Sequence, residues 1–269
     1  MKKKKFALII FSIIGFLACD DSIDDEPGQS ENESVVTGSL NIAFDNKVGD
    51  DDLILTTKNS NDVVISSGTY TNASQENYEV EELKYIISNI VLIKDNGEKF
   101  EYPKEESYFI IDEADKPSLT INLTNIPVGN YSALEYGFGV DQSKYPLEGA
   151  NFVPKANEKD MIWSWTTGFK FIMFEGTFKS STDTEKKSFL YHIGSIGDQQ
   201  DNYKIVSLKL KNSIKVTEDN AAQIEVVTDV NKFFNASNVI SISAKPEVQA
   251  DKENSPKLAA NAVAMFSLK

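Results

Sequence analysis

Two tryptophans, one histidine and one cysteine are the residues of this sequence with the most distinctive chemistry. Trp163 and Trp165 stand in the run Met161-Ile162-Trp163-Ser164-Trp165-Thr166-Thr167-Gly168-Phe169-Lys170-Phe171-Ile172-Met173-Phe174-Glu175-Gly176, with Met161 and Met173 beside them. His192 follows in Phe189-Leu190-Tyr191-His192-Ile193-Gly194, and Cys19 stands near the start. Indoles can stack on a ligand or be oxidised. Imidazole nitrogen and thioether sulfur are donors for transition metals. Paired acids could support hydrolysis, and Asp141 with Glu175 is such a pair. Acids are abundant here, and the sequence leaves the separation of these two in space open, so no enzyme is expected.

The elements that must position these groups read as strands. Trp163 and Trp165 are two apart, so an extended backbone points both to one face. Beyond Gly168, Phe169, Phe171 and Met173 share a face, while Ile172 and Phe174 share the other with Lys170. A strand apolar on nearly both faces is central and covered. Two readings of the tryptophans stay open: core packing, or the wall of a site. His192 alternates onto a face with Leu190, opposite Tyr191. It reads either as a buried histidine bonded to a carbonyl or carboxylate, or as a ligand. Residues 142–160, with Pro146, Gly149 and Pro154, read as a long loop leading into the tryptophans, hence a lid or rim.

Elsewhere the pattern is of short strands and turns. Leu40, Ile42 and Phe44 alternate with Asn41, Ala43 and Asp45, a half-buried strand. Leu53, Leu55 and Val63 to Ile65 give weaker strands. Asp50-Asp51-Asp52 reads as a solvated loop more readily than as a calcium site, since the EF-hand pattern is absent. Tyr85 to Ile93 is a core strand interrupted at Ser88-Asn89, which predicts a kink or a capped backbone group. Asp95-Asn96-Gly97 predicts a hairpin turn. Gly137 and Gly139 predict a bulge or close backbone approach. Further strands are expected over Ser188–Ile193, Tyr203–Leu210, around Ile224 and Val226, and at Val239–Ser243, with a helical turn at Asp229–Phe234. Ser255 and Pro256 cap a short helix repeating at Leu258, Ala262, Met265 and Phe266. The whole predicts an all-β, antiparallel β-sandwich of Greek-key type with a short C-terminal helix or turn.

Composition narrows the function classes. The chain of 269 residues has net charge −14 and every basic residue is lysine. Without arginine and with that charge, nucleic acid is not a partner, because phosphate contacts dominate such binding. The bidentate arginine clamp for carboxylates and phosphates is also missing. No phosphate-binding glycine loop and no G-x-S-x-G are present. With one histidine, a Ser-His-Asp triad or a multi-histidine metal site within one chain has few resources.

The first residues read as an address. Lys2 to Lys5 form a basic n-region and Phe6 to Leu17 an apolar stretch too short to span a bilayer. Ala18-Cys19 at its end resembles a bacterial lipobox, which implies cleavage before Cys19 and lipidation of its thiol. Residues 1–18 are then the signal peptide, and the mature charge is near −18 once its four lysines are gone. Residues 19–35, rich in Asp and Glu, read as an acidic tether. Acids directly after the cysteine resemble the surface-export signal of Bacteroidota lipoproteins. The expected location is the cell envelope, lipid-anchored at the outer membrane, facing the periplasm or the cell surface. Cys19 is the single cysteine, so no disulfide forms within the chain. Residues 36–269 remain as the folded domain.

Several stretches, in order, resemble the MbnP-like family of secreted copper-associated proteins. They are Phe44-x-x-x-Val48-Gly49, Tyr85-Ile86-Ile87-Ser88-Asn89-Ile90, Pro127-x-Gly129-x-Tyr131 and Gly139-Val140-Asp141, then Met161-x-Trp163-x-Trp165-x-x-Gly168-Phe169, Glu175-Gly176 and Tyr191-His192-Ile193-Gly194. Asn261 with Met265-Phe266 resembles the family's C-terminal end. The resemblance implies a β-sandwich that binds copper, and a di-haem partner related to MauG that oxidises a tryptophan to kynurenine. It makes His192 the expected ligand, Met161 a second, and Trp163 and Trp165 the oxidisable wall. Where relatives carry histidine two residues after the first phenylalanine, this chain has Asn46, a poor copper ligand. A different reading keeps the sandwich metal-free, as a module that binds an envelope protein or a glycan through Trp163, Trp165 and Tyr145.

Overall fold

Alternation of apolar and polar residues drives most of the chain into strands, and the strands stack as two facing sheets. The computed structural model describes residues 35–141, 152–166, 168–180, 185–197 and 199–269. In chain order the first strands are β1 (Thr37–Val48), β2 (Asp51–Asp52), β3 (Thr57–Lys58), β4 (Val64–Ser66), β5 (Tyr70–Thr71) and β6 (Asn77–Lys94). Next come β7 (Lys99–Glu101), β8 (Tyr108–Asp112), β9 (Thr120–Pro127), β10 (Gly129–Phe138) and helix α1 (Phe152–Glu158). The remainder is β11 (Lys170–Lys179), β12 (Lys187–Gly194), β13 (Lys204–Val216), β14 (Ala222–Asp229), β15 (Glu247–Gln249), helix α2 (Asn254–Val263) and β16 (Phe266–Leu268).

The larger sheet runs β13-β10-β6-β11-β12-β15, with β5, β7 and β8 also on β6. The smaller runs β16-β14-β1-β2, with β9 beside β1. Strands β3 and β4 form a separate hairpin. The expected all-β sandwich is what the chain adopts. Its pairing is antiparallel except at β1–β14 and β12–β15, which are parallel.

The core lies between the sheets. Period-two alternation in β1 buries Leu40, Ile42, Phe44 and Val48. Phe44 meets Tyr85 and Tyr136 of the larger sheet edge-on, with centroids 6.1 Å apart in both cases. Phe266 closes on Tyr85 and Tyr136 from β16. Toward the other end, Tyr78, Phe174, Phe189, Tyr191, Phe233 and Phe234 form a second aromatic cluster. Each such side chain is worth about 1.5–3 kcal/mol when removed from water. With no disulfide within the chain, this burial carries the stability.

Two buried polar devices pin the chain to this core. The predicted interruption of β6 is real: Asn89 has φ +50°. Its N–H donates to Ser107 O at 3.0 Å, and Ser88 Oγ donates to Gly139 O at 2.7 Å. At the far end, the buried Glu76 carboxylate accepts from Asn72 Nδ2, Ser241 Oγ and the N–H groups of Ile242 and Ser243. Burial pushes its pKa up, but these donors outweigh it and hold the carboxyl below its usual range.

The structure corrects several expectations. The loop expected over 142–160 contains helix α1, whose Phe152 and Ala156 are buried; residues 142–151 lie outside the described residues. Val239–Ser243 is not a strand, because the N–H groups of Ile242 and Ser243 turn to Glu76 and that of Ile240 to Phe234 O. The last strands are instead β15 and β16. Ser255 does not cap α2. Asp251 does so, accepting from the N–H groups of Glu253 and Asn254. Among the described residues no helix is long and apolar enough to cross a membrane.

Candidate functional site

His192 sits on β12 and Met173 lies directly across from it on β11. Glu175 is two residues beyond Met173, so all three side chains leave the sheet on one side. Ile172, Phe174 and Tyr191 take the other side, toward the smaller sheet. His192 is buried, and its Nε2 is 2.6 Å from Glu175 Oε1. A carboxylate can only accept, so Nε2 carries the proton in the neutral ring. Nδ1 then holds a lone pair. It is buried and has no hydrogen-bond partner among the described residues.

The segment between α1 and β11 covers this imidazole. The Trp163 ring lies 6.3 Å from His192 and 5.4 Å from Trp165, centroid to centroid. Trp163 is 4% exposed and Trp165 58%. Trp163 Nε1–H donates to Ser195 O at 2.9 Å, which fixes the indole. Gly168 makes that approach possible. It has φ +122°, and a Cβ there would lie 2.2 Å from Ser195 O. Gly194 works similarly, since a Cβ would fall 1.9 Å from Phe169 O. The glycines of the Trp-x-Trp-x-x-Gly and Tyr-His-Ile-Gly runs therefore let two backbones touch.

Lys170 was expected to share a face with Ile172 and Phe174. A register shift between Lys170 and Ile172 removes it from that face. Its buried stem instead carries Nζ to 5.8 Å from the Trp163 ring centroid and 2.8 Å from Asp160 Oδ2. The ammonium meets the indole face as a cation–π contact. Sequence reading missed this role, because alternation gives no sign of where a bulge falls.

The expected site residues thus divide. His192, Trp163 and Trp165 come together around one place. Met161 is wholly buried in the apolar core, its carbonyl accepting from Lys170 N–H. Cys19 and Tyr145 lie outside the described residues. Asn46 belongs elsewhere. It is buried between the sheets, where Nδ2 donates to Glu113 Oε2 at 2.9 Å and Oδ1 accepts from Tyr85 Oη at 2.8 Å. Tyr85 pairs with Ile172, so this network opens to the opposite side of the sheet from His192. Asp141 lines a cavity that Glu175 does not.

Whether a metal fits can be tested on these atoms. Among the described residues no three of His, Cys, Asp and Glu converge. Strand pairing sets the buried Met173 opposite the single histidine, on the same side of the sheet. Such a pair suits a soft ion of low coordination number, cuprous copper among them, and not a three-imidazole centre. The orphaned Nδ1, backed by a carboxylate on Nε2, has the arrangement of a metal-ligating histidine.

Comparison with curated proteins gives no match. Among solved structures, MbnP from Methylosinus trichosporium is similar, with 12% identity, a TM-score of 0.51, and coverage of 80% of this chain and 82% of that one. At that identity the likeness speaks for the fold. The family model for MbnP matches residues 37–252, most of the chain and all the strands around His192. This chain belongs to the MbnP family.

Proposed function

We propose that this chain is a lipid-anchored protein of the cell envelope that binds or handles copper where His192 meets the tryptophan pair. The observation that carries the reading is the buried, unpartnered Nδ1 of an imidazole whose Nε2 is fixed by Glu175. His192 Nδ1 would be the principal donor and Met173 the second, in the place expected of Met161. Bound copper would supply a soft, redox-active centre beside Trp163. The protein's own residues bind and shield; Lys170 and Ser195 hold the indole in place. A di-haem enzyme related to MauG is the proposed partner, acting on Trp163 or Trp165, of which Trp165 is the accessible one. The chain itself is proposed to be no enzyme. Cys19 would carry the lipid, after cleavage of residues 1–18, and would hold the protein at the outer membrane.

Copper titration of the purified protein under reducing conditions tests the site, with His192→Ala as control. Stoichiometric binding by the parent and its loss in the variant support it. Equal binding by both, or none by either, removes it. Intact mass of natively purified protein reports lipid on Cys19 and added oxygen on the tryptophans in one measurement.

One observation favours a second reading. Trp165 stays 58% exposed while its ring rests against Trp163 at a tilt of 51°. An exposed indole on a fixed support suits a sugar ring or a protein hot spot. In this reading the sandwich is a metal-free module for an envelope protein or glycan. Loss of capture by Trp165→Ala, with His192→Ala unaffected, separates it from the first.

A further inference from the structure

Three consecutive aliphatic side chains stand in solvent at strand β4. Val63 is 56% exposed, Val64 47% and Ile65 67%. Single exposed aliphatics are ordinary, and Val128, Val153, Ile205 and Val239 are of that kind. A run of three is not, because each gains by leaving water, and such a run marks a surface that another molecule covers.

The hairpin that carries the run is firmly held. Thr56 N–H donates to Val80 O at 2.6 Å, which ties the start of β3 to β6. Ser66 Oγ donates to Leu55 O at 2.8 Å and lies 2.6 Å from Thr57 Oγ1. Thr57 pairs with Ser66 and Lys58 with Val64, so Ile65 is the extra residue of a bulge, with none opposite it. The far side of β4 pairs with no other strand among the described residues. The run is therefore presented by a fixed backbone.

Charge and turn chemistry choose the occupant. Between Leu53 and Gly68 the charged residues are Lys58 and Asp62, whose Nζ and Oδ1 lie 3.0 Å apart. Glu79 and Glu81 also act on Lys58 from β6, and Glu79 is paired with Lys186 at 2.7 Å. The chain as a whole is at −14, so two copies repel over most of their surface. The hairpin, whose own charges cancel, is where they can approach. Its tip, Asn59-Ser60-Asn61-Asp62, is wholly polar, which opposes insertion into a bilayer. No uncancelled charge of the hairpin selects an acidic or a basic partner. An apolar patch on a two-fold axis needs only a copy of itself.

We propose that Val63, Val64 and Ile65 form the contact of a two-fold homodimer of this chain. The patch is small, so the dimer is weak, with a dissociation constant of about 10 μM to 1 mM. The contact does not involve His192 and does not depend on copper.

Sedimentation velocity of the chain from Asp20 onward tests it. This form keeps all the described residues, and with them the whole core, and leaves out Cys19 and the apolar leader. Melting curves show that it and each variant are folded. A reversible monomer–dimer equilibrium in that range supports the proposal. Ile65→Ser should weaken it at least about tenfold, since two-fold symmetry counts each substitution twice. Ile205→Ser, at an isoleucine as exposed as Ile65 but on β13, should leave it within about twofold. Salt raised from about 20 mM to about 500 mM should tighten the dimer, because it screens the repulsion between acidic bodies. A protein still monomeric at about 1 mM overturns the proposal. So does a dimer that folded Ile65→Ser retains, that Ile205→Ser weakens equally, or that salt dissociates. Lipid vesicles bound by the parent and not by Ile65→Ser would assign the patch to a membrane and overturn it too.

Discussion

Replacing Gly168 with alanine should unseat Trp163 and destabilise the whole domain. The new Cβ would lie 2.2 Å from Ser195 O, a backbone atom that cannot swing away, and 3.5 Å from Trp163 Cδ1. The backbone there also has φ +122°, which costs an alanine about 1–3 kcal/mol. Relief of the overlap must stretch the 2.9 Å bond from Trp163 Nε1 to Ser195 O. A buried N–H left unpaired costs about 1–3 kcal/mol more. The total is about 2–6 kcal/mol, and its midpoint corresponds to roughly 10 °C in melting temperature for a domain of this size. Gly97→Ala is the control: it has φ +85° but nothing within 4 Å of the added carbon, so strain alone applies. It should cost about 1 kcal/mol. Thermal melts followed by tryptophan emission measure both quantities at once. Gly168→Ala should also shift emission to the red, because the buried indole gains water. A variant that melts within about 2 °C of the parent, with unchanged emission, refutes the reasoning.

Asn46→Leu should cost about 2–4 kcal/mol in urea unfolding, since Glu113 Oε2 loses its buried amide donor and Tyr85 loses an acceptor. His192→Leu should change the stability of metal-free protein by less than about 1 kcal/mol, because it removes an unpartnered nitrogen and Glu175 can turn to water. Added copper should then raise the melting temperature of the parent and not of that variant. Glu76 and Asp251 have carboxyl pKa values held below the usual range by the groups that donate to them, against the opposing effect of burial. Their stabilisation is complete above the unfolded carboxylate pKa values and is lost as pH falls through the depressed folded ones. Glu76→Gln should therefore flatten the acid side of the stability–pH curve, read as urea midpoints across that range. Tyr131→Phe should cost about 1 kcal/mol, because Tyr131 Oη donates to Pro127 O four residues back at 2.7 Å.

Much of the architecture was legible in the chain because period-two alternation is a local property. The β1 alternation, the turn at Asn96-Gly97 and the break at Ser88-Asn89 each depend on residues within a few positions of one another. Asn89 tolerates positive φ, so its signal survives without knowledge of its partner Ser107. The Pro127-x-Gly129-x-Tyr131 run is likewise local, since its tyrosine bonds within its own turn. Helix α1 was hidden by Pro154, which reads as loop chemistry although proline is tolerated in a first helical turn. The missed final strands are three residues each, too short for alternation to register.

By itself the sequence determined the strand-rich class, the lack of a disulfide within the chain, and the small stock of imidazole and sulfur donors. It also determined which runs were shared with the family. Only the tertiary structure decided which of those residues meet. The pairing of β11 with β12 set Met173 across from His192 and put Glu175 on its Nε2. A bulge of one residue sent Lys170 under Trp163, and packing buried Met161 completely in the apolar core. The reason is physical. Alternation tells which face a side chain takes, whereas register fixes its neighbour, and register is chosen by packing across strands that lie far apart in the chain.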